Sequence, residues 1–163
     1  MSTLVILIRH AKAEVSKGPV QNLTESGRMM QSKVNKYLKK FGIVPDAIWT
    51  SPVPRARETA TMIADTFEIM PKEELALADA EMFDEAEITQ KLSELPDRST
   101  VILVSHGPQI MHLATYLLGS RQLQSQPPTS SALFIEFDDK VEEGKGRFTR
   151  MITYSDLLYE PDL

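Results

Sequence analysis

Cysteine is absent from this chain of 163 residues, and several kinds of chemistry are excluded with it. Without cysteine the protein forms no disulfide bond, no thiolate nucleophile and no cysteine-ligated zinc site. Long apolar runs are also lacking, since the run at residues 4–8 follows no basic segment and ends at Arg9. Such a run is too short for a secretory or membrane-spanning segment and is typical of a buried strand. We therefore expect a cytoplasmic protein with no membrane partner.

A surplus of positive charge is lacking as well. The chain has 18 Lys and Arg against 23 Asp and Glu, which gives a formal net charge of -5. Non-specific binding to nucleic acid or to an anionic membrane surface is therefore not expected. An acidic protein can still bind phosphate, but only through a local cluster of arginines.

The composition is otherwise ordinary for a globular protein. Hydrophobic residues make up 42% of the chain and charged residues 25%. No low-complexity segment or linker divides the sequence, and a chain of this length usually forms one domain. We therefore predict a single domain over residues 1–163.

Strand patterns and helix patterns alternate along the sequence. The predicted strands cover residues 4–8, 47–49, 101–104, 132–137 and 148–154. The predicted helices run from Thr24 to Gly42, from Ser51 to Phe67, over 86–95 and over about 108–118, with residues 70–84 irregular. The first helix is expected to place Met30, Val34, Tyr37, Leu38 and Phe41 on one face. This alternation predicts an α/β three-layer sandwich: a mostly parallel central sheet, helices on both faces and an antiparallel element at one edge.

Two predicted strands end in nearly the same way. The apolar residues 5–8 lead into Arg9-His10, and the apolar residues 101–104 lead into Ser105-His106. Ligands of parallel α/β sheets bind beyond the carboxyl ends of the strands, so the two histidines are predicted to share one crevice. The alternative is that each is only a hydrogen-bonded residue at a strand end. The third histidine, His112, is expected on the solvated face of its helix.

Arginines stand close to the same predicted crevice. Arg9 adjoins His10, and Arg55 lies in the first turn of the helix that Ser51-Pro52 opens. Guanidinium groups bind phosphate oxygens in a bidentate fork, and helix N-termini add backbone donors. Two arginines and two histidines at strand ends therefore predict a phosphate cup. Arg57 is expected to be a surface charge.

Four segments resemble the motifs of the histidine phosphatase superfamily, which also contains the phosphoglycerate mutases. Residues 7–11, Leu-Ile-Arg-His-Ala, resemble its Arg-His-Gly signature, and residues 51–59 resemble its Ser-Pro-x-x-Arg-Ala-x-x-Thr motif. Residues 104–107, Val-Ser-His-Gly, resemble its third motif, and Leu-Thr-x-x-Gly at 23–27 resembles the loop and helix start that commonly follow the first. The motifs occur in the family's order, so the resemblance covers most of the chain.

The resemblance implies catalysis through a covalent intermediate. His10 would attack phosphorus to form a phosphohistidine, which water then hydrolyses. Other residues would hold the phosphoryl oxygens and stabilise their charge in the transition state. The substrate-binding set implied in this way consists of Arg9, Arg55, His106, Gly107 and Gln21. No metal or other cofactor is implied, because the arginines supply the positive charge.

The chain as a whole resembles one compact branch, the SixA-type phosphohistidine phosphatases, in which an opening Arg-His-Ala is familiar. The segment from residue 60 to residue 105 spans only 46 residues, which leaves little room for the helical lid of the mutases. An open site suits a phosphorylated protein better than a small metabolite. The implied partner is a histidine phosphotransfer domain or a phosphocarrier in a signalling or sugar-transport relay.

The need for a general acid separates the possible substrates. An alkoxide leaving from a phosphoester requires a proton, commonly from a carboxylic acid, whereas imidazole leaving from phosphohistidine needs less help. Glu81 is the candidate acid by position, with Asp79 and Asp84 as rivals; the alternative is that this stretch is an acidic surface loop. Ala11 and Gln21 depart from the family pattern, which has glycine at the first position and often an arginine near the second. Weaker phosphate affinity is the expected consequence.

Three alternatives remain open from the sequence. The first is a general or small-molecule phosphomonoesterase that uses the same His10 chemistry. The second is a non-catalytic module that binds phosphate or phosphohistidine, although the complete set of arginines and histidines argues against it. The third is a metal site built on His10, His106 and an acidic residue.

Overall fold

A six-stranded mixed sheet with four α-helices forms the fold of the computed structural model, which describes residues 2–15, 22–160 and 163. The strands are β1 Thr3–Arg9, β2 Ala47–Thr50, β3 Lys72–Glu73, β4 Thr100–Ser105, β5 Ala132–Phe137 and β6 Arg147–Ile152. The helices are α1 Glu25–Lys40, α2 Pro54–Phe67, α3 Glu85–Ser93 and α4 Gly107–Leu118. Three 3₁₀ turns cover Leu75–Leu77, Ala80–Met82 and Tyr154–Leu157.

The strand order is β3-β2-β4-β1-β5-β6, and it confirms the predicted architecture. The first four strands in that order pair in parallel, while β5 runs antiparallel to both β1 and β6. Two of the parallel strands, β1 and β4, lie side by side at the centre of the sheet, with Arg9 directly opposite Ser105. The two segments that carry the histidines are therefore neighbours at the carboxyl end of the central strands.

Helices cover both faces of the sheet, because alternate residues of each central strand are apolar and buried on opposite sides. On one face Ile6 and Ile8 of β1 pack with residues of α1 and α2. On the other face Val5 and Leu7 pack with residues of α3 and α4. Burying both sides of a strand in this way explains why residues 4–8 form a continuous apolar run rather than an alternating one.

The predicted apolar face of α1 is only partly buried at its C-terminal end. The helix ends at Lys40, and Phe41 is its C-cap, 45% exposed. The Phe41 ring stacks on Tyr37, and the Arg150 guanidinium lies 4.4 Å from its centroid. Two polar side chains, Gln31 and Asn35, are buried instead and share a hydrogen bond of 2.8 Å. Counting only apolar residues missed them, because polar side chains that share a hydrogen bond can also be buried.

Smaller differences occur at the ends of elements. The segment predicted as irregular, 70–84, contains the two-residue strand β3 and two 3₁₀ turns. The last strand ends at Ile152 rather than at 154, because Thr153 begins a capping box with Asp156. Within the described residues no helix combines the length and the apolar character needed to cross a membrane.

Candidate active site

His10 and His106 meet at the carboxyl ends of the two central strands. Each follows the last residue of its strand, and the His10 amide donates to the Ser105 carbonyl at 2.9 Å. Their ring centroids lie 5.4 Å apart at an interplanar angle of 63°. The structure thus brings the two histidines into one crevice, and with Arg9 and Arg55 they form what we call the cup.

The His10 ring is held in one orientation by the loop that follows it. Its Nδ1 lies 2.8 Å from the carbonyl oxygen of Ala11, which can only accept, so Nδ1 carries the proton. The other nitrogen, Nε2, then keeps its lone pair and accepts a hydrogen bond from Arg55 Nε at 3.3 Å. Nε2 is therefore the nucleophilic atom of this ring and faces the cup.

His10 is neutral at physiological pH. Burial lowers its pKa to about 4, and the positive charges of Arg55 and Arg9 act in the same direction. The hydrogen bond to the Ala11 carbonyl raises the pKa, but burial outweighs it. A neutral imidazole is the form that can attack phosphorus.

Arg55 reaches the cup from the first turn of α2. That helix begins after Val53 with Pro54 at its first position. Proline is tolerated there because the N–H that it lacks would have no hydrogen-bond partner within the helix. Arg57 projects elsewhere, 55% exposed, and forms an ion pair with Glu73, which confirms that it is a surface charge.

Arg9 is fixed by the loop after α4. Its Nη1 donates to the Pro127 carbonyl at 2.7 Å, and its Nε is buried with no partner among the described residues. The guanidinium lies against Gly107, where an added Cβ would stand 3.0 Å from Arg9 Cζ. The absence of a side chain at Gly107 therefore makes room for Arg9.

His106 is oriented by Ser51, a residue to which the sequence assigned no role. The Ser51 hydroxyl lies 2.9 Å from His106 Nε2 and accepts from the Val53 amide at 3.2 Å. The hydroxyl keeps a hydrogen that it can donate to Nε2, and this bond selects the tautomer with the ring proton on Nδ1. Nδ1 is buried and has no partner among the described residues.

His106 is neutral as well. Burial, together with smaller effects of His10 and Arg55, lowers its pKa to about 4, and the carboxylate of Asp79 opposes them. The two imidazoles are therefore uncharged together, and the positive charge of the cup comes from the two guanidinium groups.

The three candidate acids occupy different positions. Asp79 lies 3.5 Å from Arg55 and so touches the cup. Asp84 caps α3 by accepting from the Glu87 amide at 3.0 Å. Glu81 is exposed in a 3₁₀ turn. The other substrate-binding candidate, Gln21, lies outside the described residues.

A match to a protein family places this geometry in context. Residues 5–91, more than half of the chain, match the model of the histidine phosphatase superfamily, branch 1. The chain belongs to this superfamily. A search of curated proteins finds no match to the chain.

Several solved structures share the fold. The protein histidine phosphatase SixA, solved with tungstate, is similar with a TM-score of 0.81 and 21% identity, over 94% of this chain and 99% of that one. A phosphoserine phosphatase from Entamoeba histolytica, solved as a mutant with phosphoserine, is similar with a TM-score of 0.75 and 19% identity, over 96% of this chain and 100% of that one. A phosphoglycerate mutase from Plasmodium falciparum is similar with a TM-score of 0.68 and 16% identity, over 91% of this chain and 89% of that one. At identities this low, the likeness shows that the fold is shared.

Two further residues of this histidine phosphatase support the cup and were missed from the sequence. Thr59 accepts a hydrogen bond from the Ala11 amide at 2.9 Å and donates to the Arg55 carbonyl at 2.8 Å, so one hydroxyl joins the loop after His10 to α2. Gln126 places its amide oxygen against Gly107, beside Arg9. Thr59 is the last residue of the motif at 51–59, which could have pointed to it. Nothing in the sequence pointed to Gln126, which lies in a loop distant along the chain.

The arrangement can bind a phosphoryl group and attack it. The Arg55 guanidinium lies against the Nε2 lone pair of His10, and the charges of Arg9 and Arg55 act on both imidazoles. Among the residues that the structure describes, no three carboxylate, imidazole or thiolate side chains come together as a metal site would require.

Proposed function

We propose that this histidine phosphatase removes phosphate from phosphohistidine on a protein through a covalent intermediate on His10. The proposal is carried by one observation: a neutral His10 whose Nε2 lone pair faces Arg55, with the proton held on Nδ1 by the Ala11 carbonyl. The likeness in fold to SixA supports the choice of substrate.

The reaction takes place in two displacements at phosphorus. In the first, the Nε2 lone pair forms a bond to phosphorus while the bond to the substrate imidazole breaks, and that imidazole leaves with the electron pair and takes a proton from solvent. In the second, water attacks phosphorus, inorganic phosphate leaves and His10 recovers its lone pair. Arg9, Arg55 and His106 Nδ1–H stabilise the oxygens in both transition states.

The substrate class follows from the demands of the leaving group. Imidazole leaves phosphorus far more readily than an alkoxide does, so phosphohistidine needs no strong acid in the site. Of the three candidate acids, Asp79 is the one in contact with the cup, through Arg55 at 3.5 Å. The proposed partner is a histidine phosphotransfer domain or a phosphocarrier of a cytoplasmic signalling or transport relay. Neither nucleic acid nor a membrane is proposed as a partner.

The test compares phosphate release from a histidine-phosphorylated phosphotransfer domain and from an aryl phosphate ester, without metal, for the wild type and His10→Ala. We expect fast release from the phosphoprotein, slow release from the ester and loss of both in the variant. Trapping of acid-labile, base-stable phosphate on the wild type would identify the covalent intermediate. Undiminished turnover by His10→Ala would overturn the proposal.

A phosphomonoesterase is the second candidate, and the position of Asp79 is the observation that favours it. If ester hydrolysis is the activity, a carboxyl group beside the cup must protonate the leaving oxygen. Asp79→Asn would then lower ester turnover by about 100-fold or more while phosphohistidine turnover stays unchanged. The matched variant Glu81→Gln tests the acid that the sequence favoured. Loss of ester turnover in Glu81→Gln alone would return the role to Glu81.

A further inference from the structure

A groove along α4 begins beside the cup. It has a volume of about 610 Å³ and is lined by one face of α4, from Pro108 to Gly119, together with Glu85, Arg121, Gln126 and Glu143. At 1.5 Å per residue this stretch of helix is about 16 Å long. The groove is therefore much larger than a phosphate group, and none of the catalytic candidates lines it.

Gln126 joins the groove to the cup. Its amide oxygen lies against Gly107, and the guanidinium of Arg9 packs on the same glycine. Pro108, the next residue, lines the groove. A molecule whose phosphoryl group is bound by Arg9 consequently has the near end of the groove directly beside it.

The far end of the groove is acidic. Glu85, Tyr116 and Glu143 line it together, and the residue after Glu143 donates its amide to the Tyr116 carbonyl. Burial raises the pKa of Tyr116, and the carboxylates of Glu143 and Glu85 act in the same direction. Arg121 also lines the groove, but its guanidinium donates to the carbonyls of Leu123 and Gln124 in its own loop.

The loop that carries Glu143 is tied firmly to α4. The Gly144 amide donates to the Tyr116 carbonyl at 3.0 Å, and the Gly146 amide donates to the Leu117 carbonyl at 2.9 Å. The acidic end is therefore built into the fold at a fixed distance from the cup.

A positive cup and an acidic far end match a ligand that carries a phosphoryl group and, well separated from it, a cation. Residues seven or eleven positions apart lie on the same face of a helix, about 10 to 16 Å apart along its axis. A helix with a phosphorylated histidine and a basic residue two to three turns away fits this spacing, whereas a small phosphoester does not reach across it.

We propose that the groove docks a helix of the phosphorylated protein substrate, with a basic side chain of that helix against Glu85 and Glu143. This inference rests on the proposed function, since it concerns the protein that delivers phosphohistidine to the cup. Neither Glu85 nor Glu143 touches the reacting atoms. Their role in this proposal is therefore to bind the substrate and not to take part in the chemical step.

The experiment separates docking from chemistry by using two substrates. One is a histidine-phosphorylated phosphotransfer domain with a lysine two to three turns from its phosphohistidine, and the other is N-phosphorylated imidazole, which is too small to reach the far end. The variants are Glu85→Lys with Glu143→Lys, and Thr115→Trp, which fills the groove without a change of charge. Glu142→Lys, an exposed neighbour outside the groove, is the matched control.

We expect the groove variants to raise KM for the phosphoprotein by about tenfold or more, with turnover of phosphorylated imidazole and the circular dichroism spectrum unchanged. Glu142→Lys is expected to behave as the wild type. Equal KM values for the wild type and the groove variants would overturn the docking inference and leave the proposed function intact. A wild type that hydrolyses phosphorylated imidazole but not the phosphoprotein would overturn both the docking inference and the protein substrate, while the chemistry on His10 would stand. If the wild type releases phosphate from neither substrate, the proposed function itself fails and the inference falls with it.

Discussion

At the scale of single residues, burial sets the charge of the cup. His10 is 8% exposed and His106 is 3% exposed, and each has its pKa lowered to about 4 chiefly by loss of solvent. The guanidinium groups stay charged because the pKa of arginine is too high for burial to neutralise them. The result is a site with a cationic lining and an uncharged nucleophile, the combination that attack on an anionic phosphoryl group requires.

The lowered histidine pKa values predict how stability depends on pH. Between about pH 6.5 and pH 4 the unfolded chain binds protons at these histidines and the folded protein does not, so acid favours unfolding in this window. Each histidine then reduces the free energy of unfolding by about 1.4 kcal/mol for each unit of falling pH. Urea denaturation of wild type and His10→Asn from pH 7 to pH 4 measures the difference. We expect the variant to lose less stability, and parallel curves would contradict the buried neutral His10.

Ser51 gives a second prediction at this scale, because it fixes the tautomer of His106. Ser51→Ala removes the donor to Nε2, so the ring proton is free to move there and Nδ1 no longer donates to phosphate. We expect kcat to fall by about tenfold to a hundredfold, with a smaller change in KM. Nitrogen NMR shifts of His106 should report the change of tautomer.

A double-mutant cycle distinguishes this role from simple support of the fold. In His106→Asn the side-chain amide supplies a donor near the former Nδ1 position and has no tautomer to select. Ser51→Ala should therefore have little further effect on kcat in that background. Additive losses would show that Ser51 acts independently of His106.

The pairing of the two histidines could be predicted from the sequence, whereas their hydrogen bonds could not. Residues 9–10 and 105–106 follow apolar runs, and the topology of parallel sheets then brings them to one edge. The direction in which Ser51 or Gln126 points depends on the path of a loop and on packing between distant segments. No periodicity in the sequence carries that information.

At the scale of elements, the start of α1 secures the loop that follows His10. Thr24 is the N-cap and accepts from the Gly27 amide at 2.9 Å, while its own amide donates to the Lys12 carbonyl at 2.9 Å. Glu58 of α2 reinforces this junction, since it accepts from the Leu23 amide at 3.0 Å. Both helices therefore help to fix the segment that carries Lys12 and, through it, the loop beside the nucleophile.

Gly27→Ala tests how closely the two segments approach. Helix propensity alone predicts that alanine would stabilise α1 by about 1 kcal/mol. A Cβ at this position would instead overlap the Lys12 carbonyl oxygen, and overpacking against backbone costs about 1 to 3 kcal/mol. We expect a lower free energy of unfolding in urea and reduced activity. Ser26→Ala, exposed in the same turn, is the control, and a stabilised Gly27→Ala would contradict the close contact.

Strong periodicity made most elements predictable, and its absence explains the errors. The apolar runs at 4–8 and 101–104 correspond to β1 and β4, and Gly119 ends α4 with a positive φ, the usual conformation of a glycine cap. Strand β3 is two exposed residues with no apolar pattern, so only its pairing with β2 defines it. Phe41 lies on the predicted face but is half exposed, because the helix ends one residue before it.

At the scale of the whole molecule, the charge of the protein and the charge of its site have opposite sign. The chain carries a net charge of -5, yet Arg9 and Arg55 converge on one cup. Like charges held together in a folded protein repel each other, so a bound anion should stabilise the native state beyond what the net charge suggests. This predicts that inorganic phosphate protects the protein against thermal unfolding.

The size of that protection follows from mass action. Phosphate at about 100 times its dissociation constant adds about 2.7 kcal/mol to the free energy of unfolding, which for a chain of this size raises Tm by about 5 to 10 °C. Arg55→Gln removes one of the two cationic ligands and should abolish most of the shift. Arg57→Gln, two residues away on the same helix but exposed and paired with Glu73, should retain it. Scanning calorimetry with and without phosphate, and with and without a chelator, measures the shift in Tm for both variants. Equal shifts in the two variants would mean that phosphate binds outside the cup, and a shift that disappears with the chelator would mean that a metal ion holds the anion.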